Sequence, residues 1–219
     1  MGRLKFLVAI PLIFALCGCS IILQKRNPKD LDQIDNLSDE LKKERQAREE
    51  LLRAKKELEE QLKKEIEEKK IKLEMAKKGL VITFIAEILF DSGKTVIRDE
   101  AHSVLDKVAD VINNKLSDRN IAIEGHTDNQ PIKHSSWKSN WELSTARATS
   151  VLHYLVDNKN ANPAMFSAIG YGEYRSVASN DTAAGKQQNR RVEITILPEK
   201  IIKKTSGEEV VIPDLDEIK

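Results

Sequence analysis

The sequence predicts an α+β domain, with a mixed sheet in the order βαβαββ and helices on one face, preceded by a long charged helix. The aromatic residues that follow Ser20 all lie between Phe84 and Tyr174, so only this part of the 219-residue chain can build a core. Short apolar, β-branched stretches alternate there with amphipathic ones, which is typical of strands and helices packed in layers. The core-forming part runs from residue 79 to about 198, the size of one ordinary domain.

The N-terminus has the pattern of a secretory signal. Arg3 and Lys5 precede an apolar run over residues 6–16. As a helix, this run would be about 16 Å long, roughly half of what a bilayer core needs. We therefore expect residues 1–18 to be cleaved. Because residues 20–23 extend the apolar stretch to about 18 residues, the lower limit for a membrane span, an uncleaved membrane anchor is the alternative.

The end of the apolar run, Leu16-Cys17-Gly18-Cys19, resembles the bacterial lipobox, in which a small residue precedes the lipidated cysteine. Cys19 fits that position, whereas the bulky Leu16 argues against Cys17. The resemblance implies a lipoprotein that is lipidated on Cys19. Ser20 after the cysteine resembles an outer-membrane address, so the lipid-anchored chain is expected to face the periplasm.

Residues 19–30 are expected to form the lipidated N-terminus and a linker, and residues 31–78 a charged helical spacer. No glycine or proline interrupts residues 31–78, and many Glu and Lys residues stand four positions apart in the stabilising order. Fully helical, the spacer would reach about 70 Å. Charged residues interrupt the apolar heptad seam, so we expect at most a weak coiled coil and weak self-association.

The domain is predicted over residues 79–198 and begins where Gly79 ends the charged helix as a C-cap. The predicted strands cover residues 80–85, 121–125, 166–171 and 192–197, and the predicted helices cover 99–115 and 141–158. Both βαβ crossovers should be right-handed. Residues 173–189 are predicted to form a polar loop. Residues 199–219 are expected to form a polar tail that is either disordered or adds an edge strand.

Composition and motifs exclude several classes of function. Lys and Arg number 36 and Asp and Glu 35, a net charge of +1, so no nucleic-acid partner is expected. No HExxH, GxSxG, P-loop or GxGxxG motif is present, and the four histidines are not spaced to gather a metal. His126 stands near Asp128 without a nucleophile at a matching spacing. We therefore expect no enzyme and no cofactor.

Asp128 and Arg147 are the strongest candidates for a binding site. The acid follows a strand that ends at Gly125, and the arginine lies on the next helix, across a loop rich in hydrogen-bonding groups. A carboxylate accepts from an ammonium group, and a guanidinium holds a carboxylate through two parallel bonds. Together the two side chains would clamp a zwitterionic head group. A salt bridge between them is the alternative.

Five motifs follow one another along the chain: Ile88-Leu89-Phe90-Asp91-Ser92-Gly93, Gly125-His126-Thr127-Asp128, Asn140-Trp141-Glu142-Leu143-Ser144-Thr145-Ala146-Arg147-Ala148, Gly170-Tyr171-Gly172 and Asn189-Arg190-Arg191-Val192. In this order they resemble the motifs of the OmpA-like peptidoglycan-binding domain, over residues 80–197. The resemblance implies non-covalent binding of peptidoglycan through the diaminopimelate residue of its stem peptide. With the lipid anchor, it implies a non-enzymatic tether between the outer membrane and the cell wall.

The resemblance also assigns roles to individual residues. Asp128 and Arg147 match the positions that hold the ammonium and the carboxylate at the side-chain end of diaminopimelate. The other implied peptidoglycan-binding residues are Asn140 and Leu143, which shape the pocket, Thr127 beside the acid, and Leu89 and Phe90 on a loop that lines the ligand. Arg190 and Arg191 match a pair of family arginines, for which ligand contact and structural pairing both remain open.

The loop over residues 129–139 is longer than in the compact lipoproteins of this family and is closer to the flagellar stator type, MotB. That likeness implies a stator, or an accessory of an ion motor, anchored in the inner membrane. A stator needs a transmembrane helix with an acidic residue, and residues 6–23 contain none. The lipoprotein is therefore the main prediction, and the stator type is the alternative.

Overall fold

The computed structural model describes residues 28–133 and 136–198, and the backbone of 203–205 and 208–210. The predicted signal peptide, Cys19 and most of the linker lie outside the described residues. The chain divides into two units, Met1–Leu37 and Ser38–Lys219. Of the first unit, only the start of a helix is described. Among the described residues, no helix combines the length and the apolar character that crossing a membrane requires.

Five strands form one mixed sheet in the order β1-β2-β5-β3-β4. Their bounds are Ile71–Ala76 for β1, Gly79–Ile85 for β2, Ile121–His126 for β3, Phe166–Gly170 for β4 and Arg191–Ile196 for β5. Strands β3 and β4 are parallel, and the other neighbouring pairs are antiparallel. The predicted α+β class with a mixed sheet is confirmed.

Alternate residues of the central strands face a single hydrophobic core. The core-facing residues are Leu80, Ile82 and Phe84 of β2, Ile121 and Ile123 of β3, and Val192, Ile194 and Ile196 of β5. Because successive side chains of a strand point to opposite faces, the residues between them lie on the other face of the sheet. That outer face carries polar groups such as Glu124 and Glu193, whereas the helices pack on the core face.

Three helices complete the domain around the predicted sites. Helix α4 covers Asp99–Lys115, as predicted, and buries its apolar stripe in the core. Helix α5 covers Asn140–His153, capped by Ser139, whose hydroxyl accepts a hydrogen bond from the backbone of Glu142, and continues as a π-helical turn over Tyr154–Asn158. Helix α6, Ala183–Asn189, replaces part of the predicted polar loop, because Thr182 caps its first turn. A single helical turn, α3, covers Ala86–Leu89.

The predicted helix over residues 31–78 is wrong in its last third. Helix α1 covers Pro28–Gln61 and is followed by α2, Lys63–Glu67, and then by strand β1. The β1 sequence Ile-Lys-Leu-Glu-Met alternates apolar and polar residues with the period of a strand. Gly79, expected as a helix cap, instead begins β2 after a two-residue turn. A Cβ on Gly79 would lie 2.0 Å from the carbonyl oxygen of Ile196 on β5.

Much of the predicted spacer therefore belongs to the domain. Leu51, Leu58 and Leu62 are buried in the core together with the stripe of α4. The ammonium group of Lys115 on α4 lies 2.9 Å from the carboxylate of Glu57 on α1. The apolar residues Leu31, Ile34, Leu37 and Leu41 of α1 are exposed. The expected reach of about 70 Å is too long, because α1 ends at Gln61 and is followed by the short helix α2, turns and an edge strand.

The predicted tail contains two short strands, β6 at Lys203–Thr205 and β7 at Glu208–Val210. They pair with each other in a separate two-stranded sheet. They do not extend the five-stranded sheet, so the alternative of an added edge strand is wrong for these residues.

Candidate ligand-binding cleft

A cleft of about 580 Å³ opens where β3 ends. Its walls come from the loop after α3, the loop after β3, the start of α5, and Arg190 just before β5. Six of the seven predicted peptidoglycan-binding residues line it: Phe90, Thr127, Asp128, Asn140, Leu143 and Arg147. Segments that are far apart in the sequence thus meet in one concave surface of the size that small ligands occupy.

Leu89 does not line the cleft. Its side chain is fully buried in the hydrophobic core, at the end of the single turn α3. The prediction for Leu89 is corrected for this reason: the turn directs Leu89 inward, while the next residue, Phe90, reaches the cleft.

Helix α5 is held against β3 by close contacts between backbones. A Cβ on Gly125 would lie 2.1 Å from the carbonyl oxygen of Ser144, so only glycine allows this approach. The hydroxyl of Ser144 accepts a hydrogen bond of 2.9 Å from the backbone N–H of Gly172. These contacts fix the position along α5 from which Arg147 reaches the cleft.

Asp128 is held by the loop that follows β3, with only 5% of its surface exposed. One carboxylate oxygen accepts a hydrogen bond of 3.1 Å from the backbone N–H of Gln130. The side-chain amide of Asn140 donates to the carbonyl oxygens of Asp128 and Gln130, at 3.4 and 3.1 Å, and to the carboxylate of Glu173 at 2.8 Å. Asn140 therefore shapes the pocket by tying the loop to the start of α5.

Arg147 is buried to the same degree, with 5% exposed. Its Nε donates to the carbonyl oxygen of Lys94 at 3.1 Å, and its Nη2 to that of Asp91 at 3.3 Å. The guanidinium carbon lies 5.3 Å from the ring centre of Phe90. Burial lowers the pKa of Arg147 to about 10, which leaves the guanidinium charged at neutral pH. Within the described part of the chain, no carboxylate lies within ion-pair distance of it.

Asp128 pairs instead with Arg190. Nη1 of Arg190 lies 2.7 Å from Oδ2 of Asp128, and Nε lies 2.9 Å from the carboxylate of Glu87. Burial lowers the pKa of Arg190, but the hydrogen bonds that it donates to Asp128 and Glu87, and their negative charges, outweigh this effect and raise the pKa overall. The alternative of a salt bridge between Asp128 and Arg147 does not hold in this structure. Sequence reasoning missed Glu87, whose only signal is its position beside the Ile88-Leu89-Phe90 motif.

The neighbouring residues Arg191 and His126 lie on the outer face of the sheet. Arg191 donates from Nε to Glu193 at 2.7 Å, so of the two family arginines only Arg190 reaches the cleft. His126 stacks on Tyr171, with ring centres 5.2 Å apart, and neither ring nitrogen has a hydrogen-bond partner in the described residues. Burial, followed by the charge of Arg191, lowers the pKa of His126 to about 3.

Comparison with known proteins places this cleft in a family. The family model described as "OmpA family" matches residues 89–190, which include most of the residues that line the cleft. A solved structure of the cell wall anchor of the T6SS from Pseudomonas aeruginosa is 34% identical, with a TM-score of 0.59, and the match covers 65% of this chain and 97% of that one. The chain belongs to the OmpA family.

Other OmpA-family relatives include motility proteins. Motility protein B of Bacillus subtilis (strain 168) is 45% identical over 152 residues, which are 68% of this chain and 57% of that protein. A solved structure of a putative MotB-like protein from Desulfovibrio vulgaris is 26% identical with a TM-score of 0.64, and covers 71% of this chain and 96% of that one. The chain spans about half the length of the first curated relatives that it matches.

Proposed function

We propose that the cleft binds peptidoglycan by holding the side-chain end of a diaminopimelate residue. The observation that carries this proposal is the state of Arg147. Its guanidinium is buried at the cleft and hydrogen-bonded to two backbone carbonyls, without a carboxylate partner in the described residues. A buried cation is costly unless an anion compensates it. A ligand carboxylate would supply that anion.

The opposite charge lies on the same cleft. Diaminopimelate ends in an ammonium group and a carboxylate on one carbon atom, so its recognition needs an acceptor and a guanidinium side by side. Asp128 supplies the acceptor, and the Nη1 group of Arg147, which makes no hydrogen bond to the described residues, supplies free donors. Phe90 and Leu143 provide apolar walls for the methylene chain between the two ends of the ligand.

The test is to measure binding of diaminopimelate-type sacculi and of a soluble diaminopimelate stem peptide to Asp128→Ala and Arg147→Ala variants. We expect each variant to lose about 100-fold or more in affinity, because one ionic group of the ligand is left without its partner in a partly buried cleft. Matched controls are Asp157→Ala and Arg53→Ala, which remove exposed charges outside the cleft.

Retained binding in both cleft variants, with folding verified by circular dichroism, would overturn the assignment. Sacculi incubated with the wild type should release no soluble muropeptides, because the proposal is binding and not hydrolysis. Release of muropeptides that persists in highly purified protein would instead support an enzyme.

For the whole chain, we propose a wall anchor attached to a membrane assembly, an accessory related to the motility type. Support comes from the identity to motility protein B and from the likeness to the structure described as a cell wall anchor of the T6SS. Residues 6–23 contain no acidic residue, which argues for an accessory role over an ion-carrying stator. A second candidate is an outer-membrane lipoprotein tether, favoured by the sequence Leu16-Cys17-Gly18-Cys19.

The mass of the mature N-terminus separates these two candidates. Membrane-extracted protein that retains Met1 would support the motility-type anchor held by an uncleaved segment. A mass that begins at an acylated Cys19 would support the lipoprotein, and fractionation of the membranes would then show whether the lipoprotein resides in the outer membrane.

A further inference from the structure

Two aromatic side chains form an exposed stack beside the cleft. Trp141 and Tyr174 have ring centres 5.1 Å apart and an angle of 22° between their planes. Their exposed fractions are 47% and 66%, so much of the paired surface faces solvent. Single exposed apolar residues are common on protein surfaces, but two rings held in one stacked arrangement present a flat, preorganised surface.

The stack is fixed to the rim of the cleft. Trp141 follows Asn140 on the first turn of α5, and Tyr174 follows Glu173 in the loop after β4. The hydrogen bond between Asn140 and Glu173, 2.8 Å long, joins these two segments. The same amide of Asn140 contacts the carbonyl oxygen of Asp128, so the stack and the acidic side of the cleft share one anchoring residue.

Gly172 lies against the Trp141 ring. Gly172 has a positive φ of 56°, and a Cβ there would lie 3.6 Å from Cδ2 of Trp141. The indole therefore lies close to the bare backbone of the turn that leads to Tyr174. The turn also bends the chain so that Tyr174 returns over Trp141.

We propose that the Trp141–Tyr174 stack is a subsite for the glycan strand of peptidoglycan, on which the apolar face of a sugar ring packs. This inference rests on the proposed function of the cleft. Sugar rings expose C–H groups on one face, and these pack favourably on the electron-rich face of an aromatic ring. Asn140 and Glu173, the sequence neighbours of Trp141 and Tyr174, carry amide and carboxylate groups that are suited to the hydroxyl and amide groups of an amino sugar.

The covalent structure of peptidoglycan selects this occupant. The stem peptide joins the sugar to the clamped end of diaminopimelate through a lactyl group, two residues and the diaminopimelate side chain, a span of roughly 20 Å when extended. A sugar attached to a stem peptide held at Asp128 and Arg147 is therefore confined to the neighbourhood of the cleft. The Trp141–Tyr174 stack adjoins the cleft through Asn140, which lines it and is bonded to Glu173 beside Tyr174.

The test compares two soluble ligands by calorimetry: a diaminopimelate tripeptide without sugar, and the same tripeptide on its GlcNAc–MurNAc disaccharide. For the wild type we expect the disaccharide to strengthen binding about three- to ten-fold, the contribution typical of one aromatic contact. Tyr174→Ala should remove this gain and leave the affinity for the bare peptide unchanged. Tyr174→Phe keeps the ring and should keep the gain.

Trp141→Ala, the second variant, removes the other ring of the stack. Leu52→Ala is the matched control, because it shortens an apolar side chain on α1 that is 44% exposed. If the wild type binds the bare peptide and the disaccharide adds nothing, or if Tyr174→Ala retains the gain, the glycan subsite is wrong and the clamp stands. A wild type that binds neither ligand would overturn the proposed function itself. A stack that instead packs on a protein partner would give no gain from the sugar.

Discussion

The cleft and the outer face of the sheet hold similar charged residues in different states. On the outer face, the ammonium of Lys78 lies 3.1 Å from the carboxylates of both Glu124 and Glu193, and Arg191 donates to Glu193 as well. We call Lys78, Glu124, His126, Arg191 and Glu193 the outer-face cluster. Each carboxylate there is neutralised from within the protein.

In the cleft, by contrast, the positive charge of Arg147 is not neutralised by an ion pair with a described residue. Asp128 is paired with Arg190, but Arg147 contacts two carbonyl dipoles and the Phe90 ring and has no carboxylate within ion-pair distance among the described residues. Since a buried ion needs a partner, this difference supports a structural network on the outer face and the proposed ligand site in the cleft. The outer-face cluster should govern stability, and the cleft should govern binding.

The largest effect is expected for Lys78→Met. This change leaves Glu124 and Glu193, both more than nine-tenths buried, without the cation that they share. Because the Lys78 side chain is about one-third exposed, we expect a loss of about 2 kcal/mol in the free energy of unfolding, below the full cost of breaking a buried pair. Urea denaturation measures it, and affinity for the stem peptide should not change.

Lys77→Met on the same turn is the matched control, because Lys77 is exposed. An equal loss of stability in both variants would mean that the turn, and not the ion pairs, is responsible. Loss of ligand affinity in Lys78→Met would contradict the expectation that the outer-face cluster governs stability and the cleft governs binding.

The next effect is a dependence of stability on pH that arises from His126. Its pKa is about 3 in the folded protein and 6.5 in its ordinary state, because burial and the charge of Arg191 disfavour the imidazolium. The unfolded chain therefore binds a proton below pH 6.5 that the folded chain does not bind. Stability is fully present above pH 6.5 and is lost as pH falls toward 3, by about 1–2 kcal/mol between pH 6.5 and 5.

The measurement is the free energy of unfolding at several pH values for the wild type and for His126→Phe, which keeps a ring against Tyr171. The variant should lose less stability over this range than the wild type. His153→Gln, at an exposed histidine paired with Asp157, is the control and should follow the wild type. Parallel curves for the wild type and His126→Phe would contradict the assignment.

The parts of the cleft that could be predicted from the sequence are those formed by residues close together in the chain. Gly125 to Asp128 and Asn140 to Arg147 lie at the end of one strand and the start of one helix, so a strand-to-helix pattern was sufficient to bring Asp128 and Arg147 to one place. Whether they bind the ligand as predicted stays a prediction. The end of β3 and the start of α5 are close in the sequence, which also explains why Asn140, on the first turn of α5, reaches the loop that holds Asp128.

The rest depended on contacts between distant segments. Arg190 meets Asp128 because β5 lies between β2 and β3, a strand order that no local pattern specifies. The alternation of Ile71 to Met75 was obscured by the charges around it, which fit a helix equally well. The apolar seam of α1 indicated a weak coiled coil, whereas Leu51 and Leu58 are buried in the core of the domain itself.

The smallest effect concerns the pairing of Arg190 with Asp128. In the proposed binding mode, a ligand ammonium would share the Asp128 carboxylate with this guanidinium, whose Nη1 lies 2.7 Å away. Arg190→Gln removes the competing charge and also frees Glu87, so the site for the ammonium becomes more negative. We expect a stem peptide with lysine, which carries the ammonium without the adjacent carboxylate, to bind about two- to five-fold more tightly.

The affinity of the same variant for the diaminopimelate peptide should increase less, because the added negative charge would also repel the ligand carboxylate that Arg147 is proposed to hold. The ratio of the affinity for the diaminopimelate peptide to the affinity for the lysine peptide should therefore be smaller in Arg190→Gln than in the wild type. Arg191→Gln, one residue away on the outer face, should leave both affinities and the preference unchanged. Weaker binding of both peptides to Arg190→Gln would show that Arg190 holds Asp128 in place and does not compete with the ligand.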